Sequence, residues 1–219
     1  MPDHAASYRE FRHRVRGLVA GLDDDQLEMI APATPEWRVR DVVAHLAGVP
    51  ADILAGNLDG VTTDAWTARQ VDDRRDWPFE EVLRQWEESG AAVEPLVPAF
   101  PEAAARQMLA DAATHEQDIR GALGTPGARD ADALEVGFVF MTGGVSAPLR
   151  FETDAGTFPA GPKGEPVATV RADRFELFRA MSGRRSHDQI RAFDWDGEPQ
   201  PEAVVVRPVF TARADALVE

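Results

Sequence analysis

The sequence predicts an α+β protein, with a four-helix bundle first and a small α+β unit after it. Three observations predict this. In the N-terminal half, apolar residues recur every three to four positions over segments long enough for helices. Prolines and glycines cluster between those segments. After Gly124 the texture changes to short strand-like pieces separated by turns. The expected domains are residues 1–125 for the bundle and 131–219 for the second unit.

The first helix is expected from about Ala5 to Leu22, where Tyr8, Phe11, Val15, Leu18 and Leu22 share a face. A short helical turn can follow at Asp23–Ile30. Pro32 and Pro35 make Ala31–Trp37 a loop. The second helix runs from about Arg38 to Gly56, with a kink or restart expected at Pro50. Residues 57–77 read as irregular and polar, anchored by Trp66 and Trp77. Pro78 suits a first helical position, and the third helix then reaches about Glu94. Pro95, Pro98 and Pro101 mark a tight connection, and the fourth helix runs from Pro101 to about Leu123.

Thr125–Asp130 reads as a linker. A further helix is expected from about Ala131 towards Ala147, weakened by Gly143 and Gly144 and stopped by Pro148. Strands are expected at Leu149–Thr153 and Val167–Arg171, with a turn-rich stretch after the first. A helix from Asp173 to Met181 ends at Gly183. Ser186 with Gln189 forms a capping box for another short one.

Composition narrows the function. The 219 residues carry a formal net charge of −15, which argues against non-specific nucleic-acid binding and against docking on anionic lipid. No apolar run approaches the roughly 18 residues of a membrane helix, and the first residues lack an apolar signal region. A cytoplasmic location is the default expectation. There is no cysteine, hence no disulfide, no thiol nucleophile and no cysteine metal site.

Three polar residues interrupt apolar faces. His45 lies in the row Val42, His45, Val49, Ile53, and His115 in the row Met108, Ala112, His115, Ile119. Asp111 precedes His115 by about one helical turn, so their side chains share a face. A carboxylate on a bundle's inner face needs a partner or a metal. His45, Asp111 and His115 therefore form a candidate three-ligand site for a divalent ion. A hydrogen-bonded core histidine and a structural Asp–His or Asp–Arg pair would satisfy the same pattern. Asp118, three residues after His115, can orient its ring, and Glu116 is expected to face solvent. The run His115-Glu-Gln-Asp118 lacks the second histidine of a zinc-protease helix. Arg184 and Arg185, beside Ser186 and His187, form a basic spot at a helix start that can hold a carboxylate.

Two stretches carry a family resemblance. Thr34-Pro-Glu-Trp37-Arg-Val-Arg-Asp41-Val-Val-Ala-His45-Leu-Ala-Gly48 and Asp111-Ala-Ala-Thr-His115-Glu-Gln-Asp118-Ile-Arg120-Gly-Ala-Leu-Gly124 resemble the mycothiol-dependent maleylpyruvate isomerase family. That family belongs with the DinB-like metal-binding four-helix bundles. The stretch from Asp173 to Ser186, with Trp195 and Gly197, is similar to the family's small, sterol-carrier-like C-terminal domain. The resemblance implies a divalent metal, zinc first, at His45, Asp111 and His115. It also implies mycothiol as a low-molecular-weight thiol cofactor and a small-molecule substrate. The expected reaction is isomerisation or thiol transfer, with Asp118, Arg184 and Arg185 as candidate catalytic residues, in a monomer or homodimer. The isomerase has glutamate where this chain has Asp111, one methylene shorter. The competing readings are a non-catalytic metal- or ligand-binding module and a metal-dependent hydrolase.

Overall fold

The computed structural model describes residues 2–219, in two compact units. The first runs to Gly127 and the second from Ala128 to Glu219. The first opens with α1 (His4–Val19), whose N-terminus is capped by the Asp3 carboxylate accepting from the backbone N–H groups of Ala5 and Ala6. A one-turn α2 (Asp24–Leu27) carries an Asp23–Gln26 capping box. Then come α3 (Val39–Ala55), α4 (Asp64–Asp72), α5 (Phe79–Val93), a 3₁₀ turn over Glu94–Ala99, and α6 (Glu102–Leu123).

The bundle is built from α1, α3, α5 and α6. α3 packs on α5 and α6, and α1 packs on the same two helices. The buried faces follow the helical spacing: Tyr8, Phe11, Val15 and Val19 from α1, Val42, Val43 and Leu46 from α3, Val82, Trp86 and Val93 from α5, Leu109 and Ile119 from α6. α6 stops at Gly124, whose left-handed φ of 62° lets Thr125 N–H return to Arg120 O.

Two expectations need correction. The segment 57–77 is not irregular throughout, because α4 lies inside it and packs on α3. α3 does not restart at Pro50; it continues to Ala55, held by its packing on α4 and α5. The proline-rich connection at 94–99 forms a 3₁₀ turn.

The second unit starts with α7 (Asp132–Thr142), shorter than expected because the chain leaves the helix at Gly143. Strands β1 (Leu149–Thr153), β2 (Gly156–Ala160) and β3 (Ala168–Arg171) follow, then α8 (Arg174–Met181), α9 (His187–Arg191), β4 (Asp194–Asp196) and α10 (Pro201–Val204). The sheet order is β2-β1-β3-β4, with β1 and β3 parallel and both outer pairings antiparallel. β2 lies in the stretch expected to be only turns, and β4 was not expected at all. β1 buries Leu149 and Phe151, β3 buries Ala168 and Val170, and α7 packs on α8. Phe138 of α7 closes this core, its ring 5.1 Å from Phe158 and 6.3 Å from Phe151.

Among the described residues, no helix is long and apolar enough to cross a membrane. Phe138 is fully buried, so Phe138→Ala should cost about 3–5 kcal/mol. Urea unfolding followed by circular dichroism measures this; a change under about 1 kcal/mol would mean that the α7 contacts do not hold this core together.

Candidate metal centre

The site begins at the entry to α3. Asp41 accepts the Arg38 backbone N–H at 2.9 Å and the Arg38 guanidinium Nε–H and Nη2–H at 2.7 and 2.8 Å. Burial alone would raise the Asp41 carboxyl's pKa; Arg38 outweighs it and holds the group below its ordinary value. This clamp fixes the first turn of α3 and sets His45 one turn further on the buried face. It also places Trp37 just before the helix. The Trp37 ring centroid is 5.4 Å from that of His45 and 5.6 Å from that of His115.

α6 supplies the other two residues. His45 Nε2 lies 3.3 Å from each oxygen of the Asp111 carboxylate, and His115 Nε2 lies 3.6 Å from one of them. A ligand atom from each of the three comes within 4.8 Å of the others. Both histidines are buried, whereas the Asp111 side chain is 34% exposed and forms the open side.

The far nitrogen of each ring is already committed. His45 Nδ1–H donates to Gln70 Oε1 at 2.7 Å, and Gln70 Nε2–H donates to Asp52 Oδ2 at 2.7 Å, which fixes the amide's orientation. His115 Nδ1–H donates to the buried Asp118 carboxylate at 3.0 Å. Both rings are thereby set in the tautomer whose Nε2 lone pair faces Asp111. Burial pulls the His115 pKa below its ordinary value, against the opposing pull of Asp118 and Asp111, so the imidazole is neutral at pH 7.

Gln70 is a site residue that the sequence reading missed. It comes from α4, whose N-terminus is capped by Thr63 and whose buried residues Trp66, Gln70 and Val71 keep a helical spacing. That cap and spacing were the available signal. Close approach is possible because position 48 is glycine: a Cβ there would sit 2.6 Å from Gln70 Cβ.

The donor set fits a divalent ion. Two neutral imidazoles and one carboxylate, with an open side, match the ligand number and type of catalytic zinc sites, where nitrogen ligands bind at about 2.0–2.1 Å. One adjoining expectation changes. Glu116 does not face solvent; it is buried and takes Arg14 through two bonds of 3.1 and 2.9 Å, with Arg120 on the same carboxylate. Arg184 and Arg185 belong to the second unit and are buried. Arg184 bonds Ser182 O and lies over the Phe210 ring, and Arg185 holds the carboxylates of Glu176 and Glu219.

Asp118→Asn and Gln70→Leu should each lower zinc affinity about 10- to 100-fold with the fold intact, measured by competition with a chromophoric chelator. Affinities equal to wild type would mean that these bonds do not set the rings. The lowered His115 pKa also has a sign. The unfolded chain takes up this proton from pH 6.5 downward while the folded chain resists it. Metal-stripped protein should therefore lose stability as pH falls below about 6.5, less so in His115→Gln, by urea midpoints at pH 7.5 and 5.5. A variant as pH-sensitive as wild type would remove His115 as the cause.

The family model of the mycothiol maleylpyruvate isomerase N-terminal domain matches residues 8–120, which include Trp37, His45, Gln70, Asp111, His115 and Asp118. Among solved structures, the crystal structure of a histidine-to-alanine mutant of mycothiol-dependent maleylpyruvate isomerase is similar, with a TM-score of 0.55 and 12% identity. The match covers 84% of this chain and 90% of that one, and at this identity it bears on the fold. No curated protein matches significantly. The matched region spans more than half of the chain, which therefore belongs to the mycothiol maleylpyruvate isomerase N-terminal domain family.

Proposed function

We propose that this protein is a metal-dependent enzyme that activates a low-molecular-weight thiol, mycothiol by family, towards a small electrophilic substrate. The observation that carries this reading is the convergence of His45 Nε2, His115 Nε2 and the Asp111 carboxylate, with both Nδ1 atoms already bonded elsewhere. A divalent ion held there would supply the positive charge that keeps a thiol ionised near neutral pH, and so provide a nucleophile that this cysteine-free chain lacks.

The residues divide the remaining work. His45 and His115 would serve as neutral imidazole ligands and Asp111 as the single anionic one, a set that would leave a divalent ion with net positive charge to favour a thiolate over a neutral thiol. Trp37 packs against both rings, and Trp66 is buried against His45 at 6.4 Å. These indoles keep water from the inner side and leave Asp111 as the approach. Asp118 holds the His115 ring and is a positioning residue in this scheme. The isomerisation of maleylpyruvate, named in the family's description, is the first reaction to try.

The experiment combines metal analysis with thiol dependence. Purified wild type should carry about one zinc or other divalent ion per chain, and His115→Ala should carry none. Turnover of maleylpyruvate or a related electrophile should require both the metal and mycothiol. Metal-dependent turnover that ignores thiol would make the protein a hydrolase. Bound metal with no turnover on any electrophile tried would favour a binding module. No metal after loading with excess ion would end the proposal.

A further inference from the structure

The Asp111 carboxylate meets the two histidines in a particular orientation. His45 Nε2 lies 3.3 Å from Asp111 Oδ1 and 3.3 Å from Oδ2. Equal distances put this nitrogen in the plane that bisects the carboxylate. A carboxylate that binds an ion through one oxygen can turn its other oxygen away. Here neither oxygen is turned away from His45. His115 Nε2 lies 3.6 Å from Oδ1 and comes from the next turn of the same helix, α6.

The groups that meet there are all acceptors. Gln70 and Asp118 hold the Nδ1 protons, so both Nε2 atoms present lone pairs to a carboxylate that presents lone pairs in return. A cation among them turns this repulsion into attraction. Both rings are fixed by their outer bonds, and the Gln70 amide is fixed in turn by Asp52. The ring lone pairs therefore set where a cation sits. The short Asp111 side chain, with two torsions, already faces that place with its two oxygens level.

We propose that Asp111 is a chelating ligand, holding the ion through both of its oxygens. The chain then offers two imidazole nitrogens and two carboxylate oxygens, and the ion takes a coordination number of about five or six. Asp111 acts so within the metal centre of the proposed function, on which this reading rests. A tetrahedral centre with three protein donors keeps one position for an outside ligand. Octahedral ligation around these donors keeps about two. That is room on the open side for a thiol together with one oxygen of a carbonyl or carboxylate substrate. Two imidazoles and one carboxylate with open positions are also the ligand set of non-haem ferrous sites, so ions that accept more than four ligands suit the centre.

Cobalt(II) is the probe, loaded into the metal-stripped full chain, wild type and Asp111→Asn. Tetrahedral cobalt(II) absorbs visible light far more strongly than cobalt(II) with more ligands, so the spectrum reads the geometry. Wild type should bind cobalt with weak visible bands, and X-ray absorption should show the carboxylate carbon close to the ion, as chelation requires. Asp111→Asn, whose amide offers one oxygen, should lose that close carbon and bind cobalt about tenfold or more weakly. Cobalt bound to wild type with intense tetrahedral bands and no close carbon would overturn the proposal and leave the metal centre standing. Wild type that binds neither cobalt nor zinc would overturn the metal centre, and the chelating role with it. If Asp111→Asn does not fold, the wild-type spectra decide alone. Thiol activation is read separately, by a sulfur-to-cobalt charge-transfer band on adding mycothiol; its absence would count against the proposed function and not against chelation.

Discussion

Everything proposed for the metal centre depends on the orientation of two buried imidazoles. An imidazole has two nitrogens, and a site needs the lone pair on the correct one. Gln70 and Asp118 make that choice by accepting the Nδ1 protons of His45 and His115. Asp52 in turn stops the Gln70 amide from flipping. Without these acceptors the same three residues would be a histidine pair beside a carboxylate, with no preferred direction for the lone pairs.

The bundle tolerates such polarity because several of its buried charges are paired within it. Glu116 is buried between Arg14 of α1 and Arg120 of its own helix. Arg12 is buried on α1 and reaches Glu94 at 3.0 Å. Breaking one partner of a buried pair costs several kcal/mol, about 3–5 in comparable cases. These pairs therefore fix how α1 sits against α6 and against the turn after α5. In doing so they hold α6, and with it Asp111 and His115, in register with α3.

How much of this the sequence discloses varies by element, for physical reasons. α3 and α6 are readable because an apolar stripe at helical spacing is what burial requires, and a histidine or aspartate within such a stripe stands out. The Trp37–Asp41–His45 spacing is legible as a family resemblance and not from periodicity, and the clamp at Asp41 gives it a physical reason. α4 is hard to see because its polar residues outnumber its buried ones, so Gln70 passes as an ordinary surface residue. Glu116 misleads because its partner Arg14 lies 102 positions away, and no local pattern predicts a long-range ion pair. β2 hides because Pro159 and the flanking glycines read as turns, although an edge strand accepts a proline readily. β4 is only three residues long and owes its existence to pairing with β3.

The glycine at position 48 has a consequence that extends beyond packing. It brings α4 near enough for Gln70 to reach His45, so an exposed, short, mostly polar helix becomes part of the ligand's support. Thermodynamic coupling runs both ways. Whatever stabilisation an ion draws from the oriented His45 ring, α4 receives back as resistance to local unfolding. Under the proposed function, the helix least able to stand alone would be the one whose order rises and falls with occupancy of the centre, and α4 would act as a gauge of the ion.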